Sequence, residues 1–71
     1  MDNTERRQQL GKAIAEARLE MDLSQRDLAL AAGTNQSYLW EIETGRVSVG
    51  LDRLCGIADA LGMRVRDLVD F

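Results

Sequence analysis

The sequence has no histidine, no proline and one cysteine, Cys55, and these gaps exclude whole classes of chemistry. Without imidazole, and with a single thiol, no zinc-finger spacing exists and no internal disulfide can form. No carboxylate pair has a supporting pocket pattern either, so no catalytic, cofactor-binding or metal-binding residue is expected and the chain does not read as an enzyme. Aromatic residues make up only 4%, which leaves an aliphatic core. No run approaches the roughly 18 apolar residues needed to cross a bilayer. Met1 to Gln9 is polar and charged, without the apolar stretch of a secretion signal, so none is expected there. The cysteine usage fits a reducing cytoplasmic compartment. Cys55 falls on the apolar side of a helical pattern and reads as a small core residue rather than a redox sensor.

What is present is ordinary for a small globular protein: 71 residues, 45% hydrophobic and 30% charged. That length bounds the chain to one domain, 1–71, whose single core gives a net stability of only a few kcal/mol. Thr4 is a candidate N-cap for a first helix over roughly Glu5 to Met21, with Leu10, Ala13, Ile14, Ala17 and Met21 at steps of three and four. Gly11 inside it costs up to about 1 kcal/mol relative to alanine, consistent with close packing or simple tolerance. Asp22 ends that segment. Leu51, Leu54, Cys55, Ala58 and Leu61 trace one face of a fourth helix closed by Gly62, and Val65 to Asp70 makes a short fifth that buries Val65, Leu68 and Val69.

Between these lies the most informative stretch, Leu23 to Arg46. Ser24 with Asp27 three positions on approximates a capping box and starts a helix carrying Leu28, Ala29 and Ala32. Gly33 stops it. Asn35 then caps another helix, whose inward positions are Leu39 and Ile42 and whose end is Gly45. Two short helices joined by a tight glycine-containing turn form the helix-turn-helix unit, in which the second helix can lie in a DNA major groove. Five helices with short links predict a compact all-α bundle, with the motif at 24–44 formed by helices 2 and 3.

The residues Leu23, Ser24, Gln25, Leu28, Ala29, Ala32, Gly33, Leu39, Ile42, Glu43, Gly45 and Arg46, with Tyr38, closely resemble the phage repressor and Cro type helix-turn-helix family, also called the XRE family. The resemblance extends from Leu10 to Val69. It implies a lambda-repressor-like fold and a double-stranded DNA partner. Three positions depart from the pattern: Val49 and Gly50 stand where proline and then serine or threonine are common, and Trp40 where a small or polar residue is usual.

The resemblance places Gln36, Ser37 and Glu41, which share the outer face of the second motif helix, where the family reaches base edges. A glutamine amide suits adenine N6 and N7, serine reads either a donor or an acceptor, and glutamate accepts from cytosine N4. Gln25 corresponds to a glutamine that touches a phosphate and braces the Gln36 position, and the Ser24 and Gln25 amides face outward at a helix N-terminus. Arg46 resembles a loop residue that clamps the DNA backbone, with Arg26 a weaker candidate. Asn35, Tyr38 and Trp40 complete the set. Tyr38 either bonds a phosphate or shields the core edge. Trp40 either meets DNA or another protein, or folds down over Leu30 or another helix. Arg18 and Glu43 match an arginine–glutamate pair that fixes the motif on the first helix, a structural role.

A net charge of −3 is unusual for a DNA binder, because phosphate neutralisation supplies most non-specific affinity. The span from Ser24 to Arg53 sets Asp27, Glu41, Glu43 and Asp52 against Arg26, Arg46 and Arg53, so the prospective face is near neutral and its salt dependence shallow, about three counterions per subunit. A homodimer doubles the contacts. Val65, Leu68, Val69 and Phe71 are the expected dimer surface, with Leu30 as a second candidate. The leading reading is a transcriptional repressor on an inverted-repeat operator, with no small-molecule ligand. The alternatives are the antitoxin of a toxin–antitoxin pair, or a fold used mainly to bind a protein partner.

Overall fold

The computed structural model describes residues 2–71, all of whose regular structure is helical. Helix α1 spans Asn3–Glu20, α2 Gln25–Ala31, α3 Gln36–Glu43, α4 Leu51–Ala60 and α5 Val65–Leu68. The α1 N-cap is Asp2 rather than Thr4: the Asp2 carboxylate accepts from the Glu5 N–H at 2.9 Å. A carboxylate at a helix N-terminus also meets the positive end of the helix dipole, an advantage a hydroxyl lacks. Ser24 and Asp27 form the expected capping box on α2, and Asn35 caps α3 by accepting from Tyr38 N–H at 2.9 Å. At Gly50 no side chain caps α4, as its lack of a side chain dictates.

Four helices stop in the same way. The residue after the C-cap takes a positive φ, and its N–H and the next one turn back onto carbonyls of the last turn. Gly33, Gly45 and Gly62 fill that position at φ 75°, 74° and 67°. After α1 the position is held by Asp22 at φ 57°, the one non-glycine residue of that conformation among those described. Aspartate tolerates it better than most side chains.

Ile14, Leu28, Leu39, Ile42, Ile57 and Leu68 are the largest fully buried side chains, one or more from each helix. Helix α3 packs on α1 and α2, α4 on α2 and α5, and α5 closes back on α1. The α1–α3 contact explains Gly11, because a Cβ there would overlap the carbonyl oxygens of Ile42 and Glu43. Close backbone approach, not tolerance, sets that residue.

Several apolar expectations shift. Met21 serves as the C-cap of α1 and is exposed, Leu51 is 69% exposed at the first residue of α4, and Ile57, not among the expected inward residues, is fully buried. Cys55 is only half-buried. Helix α5 ends at Leu68 rather than Asp70, and Leu68 is sealed between α5 and the rest of the core. It is therefore unavailable as a dimer contact. Val65 and Val69 are partly buried, and only Phe71 of that group is largely open, at 53%.

Candidate nucleic-acid interface

Helix α3 has two unlike sides. Leu39 and Ile42, at 0% and 2% exposure, anchor it underneath, while Gln36 and Ser37 are exposed on its first turn and Trp40 is 44% exposed. Glu41 lies at intermediate exposure beside them. Together with Gln25 of α2, these four line an open depression on the surface. Arg26, Leu30, Asn35 and Gln36 line a second one alongside it.

The inner side is tied by charge as well as by packing. Arg18 of α1 makes a two-pronged bond to Glu43, Nε to Oε2 at 2.8 Å and Nη2 to Oε1 at 3.1 Å. Its remaining Nη1 donates to the Leu23 carbonyl at 2.9 Å. Gln25 Nε2 donates to Glu43 Oε1 at 3.0 Å, so one carboxylate joins α1, α2 and α3. The Gln25 amide thus reaches Glu43, and no hydrogen bond joins it to Gln36 among the described residues. Arg7, one helix turn from Gly11, donates Nε to the Gly45 carbonyl at 3.4 Å, just past the α3 terminus.

On the outer side the Arg46 guanidinium lies over the Trp40 ring, 4.8 Å from its centroid. The loop cation and the ring are thereby brought together, and Leu30 is 67% exposed. Ser24 and Asn35 spend side-chain acceptors on caps. The Ser24 hydroxyl still has its proton to donate, and the Asn35 amide its NH₂. Arg26 is exposed near the start of α2.

Tyr38 is turned sideways, half-buried against the core edge, with the Arg53 guanidinium 5.9 Å from its ring centroid. Arg53, from α4, also donates Nη1 to the carbonyl of Gly33 at 2.8 Å and more weakly to that of Ala32 at 3.4 Å. Sequence reasoning counted Arg53 only as a charge. Its partners lie 20 and 21 positions away, and neither spacing nor composition signals such a contact.

Among the described residues no group of three or more His, Cys, Asp or Glu could hold a metal ion, and no helix is long and apolar enough to cross a membrane. The arrangement is that of a surface which presents amide, hydroxyl and carboxylate groups on one rigid helix, flanked by arginines. Groups of these kinds can pair with base edges and phosphate oxygens.

A helix-turn-helix family model matches residues 14–68. The control protein C.BamHI of Bacillus amyloliquefaciens is 36% identical over 62 residues, 86% of this chain and 76% of that protein. Among solved structures, the restriction-modification controller protein C.AhdI from Aeromonas hydrophila superimposes with a TM-score of 0.85 at 32% identity, over 87% of this chain and 94% of that one. The clp gene regulator ClgR from C. glutamicum gives 0.86 at 35% identity, over 89% and 81%.

Proposed function

This chain belongs to the helix-turn-helix family, and from that premise we propose how it acts. It is a sequence-specific DNA-binding transcriptional regulator and not an enzyme. In our reading it is a cytoplasmic repressor that inserts α3 into the major groove, with Gln36, Ser37 and Glu41 on base edges. Ser24, Gln25, Arg26, Asn35 and Arg46 hold the backbone, and Trp40 and Tyr38 flank them. The observation that carries this is the polarity of α3: Gln36 and Ser37 stand exposed directly above fully buried Leu39 and Ile42. The whole of 1–71 acts as one domain, with the DNA-reading unit at 24–44.

A near-neutral face argues for two subunits, since one would bind weakly. A two-fold dimer puts its reading helices about 34 Å apart on successive major grooves. Phe71, with the exposed edges of Val65 and Val69, is the surface we assign to it; Leu30 is the alternative. Similarity to a restriction-modification controller protein favours control of restriction-modification genes over an antitoxin role. Selection of duplexes from a random library by the purified protein tests the reading. We expect a short inverted repeat, and a changed sequence with Gln36→Ala; a flat response across the library would move the function to a protein partner.

A further inference from the structure

Arg53 is the one arginine of α4, and among the described residues no salt bridge joins it to an acid. Its guanidinium instead meets the end of α2, the turn and the first turn of α3 at once: the carbonyl of Gly33 at 2.8 Å, that of Ala32 at 3.4 Å, and the ring of Tyr38 at 5.9 Å. The last carbonyls of a helix have no intrahelical partner, and a cation satisfies both their hydrogen-bonding need and the negative end of the dipole. A single nitrogen, Nη1, serves both acceptors while the flat guanidinium lies over the Tyr38 ring, and it is this planar, delocalised face that an ammonium cannot reproduce.

We propose that Arg53 is a positioning residue for sequence readout: it fixes the turn between α2 and α3, and through Tyr38 the helical turn that carries Gln36 and Ser37. The inference rests on α3 being the reading helix. The α3 C-terminus is held by Arg18 and Arg7 from α1, but its N-terminal end, where the base-reading side chains sit, has no other long-range polar tie among the described hydrogen bonds. Paired hydrogen bonds to a base edge need both partners within a few tenths of an ångström of their best separation. A loosened turn therefore weakens base readout while leaving phosphate contacts in place.

The test uses the full chain with Arg53→Met, which keeps the stem and removes the cation, and Arg53→Lys, which keeps the charge without the fork. Fluorescence anisotropy on the selected duplex and on a scrambled one, across a salt series, is read below the melting temperature of each variant. We expect Arg53→Met to lose about tenfold in affinity for the selected duplex, the scale of one charge-assisted hydrogen bond, with scrambled-duplex affinity and salt slope unchanged. Arg53→Lys should recover only part of this. Equal losses on both duplexes with a salt slope lower by about one would mean that Arg53 holds a phosphate, and would overturn the proposal. A lower melting temperature with unaltered discrimination would reduce Arg53 to a plain helix cap and overturn it equally. A wild-type protein that selects no duplex would bring down the DNA reading itself, whereas a selective wild type with an unaltered Arg53→Met brings down this inference alone.

Discussion

The inner and outer sides of α3 are built from different forces. Underneath, every contact is made before any partner arrives: Leu39 and Ile42 in the core, the glycine notch at Gly11, and the Glu43 carboxylate shared by Arg18 and Gln25. Outside, Gln36 and Ser37 have no side-chain partner among the described hydrogen bonds, and the single tie is Arg46 over Trp40. On the proposed function, the contrast means that one eight-residue helix separates stability from recognition by face. Inner substitutions should lower stability and DNA affinity together, and outer ones should lower affinity alone.

The strongest challenge to that division is Gly11→Ala. Its new Cβ would meet backbone, not a flexible side chain, so α1 and α3 must separate. The expected loss is on the order of the whole net stability of so small a domain, about 3 to 5 kcal/mol, read as a collapse of the thermal transition. A well-folded Gly11→Ala would show that the two helices need no notch. Next comes Glu43→Gln, which strands the Arg18 guanidinium at 12% side-chain exposure. Breaking a buried pair costs about 3 kcal/mol or more, and operator affinity should fall with stability. Loss of one without the other would break the proposed coupling.

How far this division was legible in the chain depends on the range of the interaction. Ser24, Asn35, Gly33 and Gly45 announce the two motif helices because caps and left-handed turns are local, set within five residues. Arg18 and Glu43 are 25 positions apart, and resemblance, not spacing, paired them. For the same cause the sequence left close packing and tolerance both open at Gly11, and the partners of Arg53 were invisible in it. Periodicity tells which residues share a face but not how far the neighbouring helices reach along it. Leu51 therefore looked internal and Leu68 available, and the packing of α5 on α1 and α4 decides otherwise for Leu68.

On the outer side Gln36→Ala should change stability by no more than about 0.5 kcal/mol, as exposed positions do. Its effect belongs to the bound state: loss of a bidentate base contact costs about 1 to 3 kcal/mol of discrimination at one operator position. A large drop in melting temperature would mean that Gln36 carries packing, and the two faces would no longer be distinct.

The smallest expected effect comes from Arg46→Ala, and it sharpens the comparison because Arg46 is already engaged with the Trp40 ring. Over the exposed Trp40 ring its cation contributes about 0.5 kcal/mol in the free protein, visible as a slight fall in melting temperature and a change in tryptophan fluorescence. If the ring holds the guanidinium ready for a phosphate, removing it lowers the salt slope of binding by about one per subunit and weakens all duplexes alike. Trp40→Leu would then leave the slope intact while lowering affinity, since the charge remains but is no longer held. An unchanged slope in Arg46→Ala would mean the stacked pair serves the free protein only, and the line between stability and recognition would have to be drawn through Trp40 rather than beneath it.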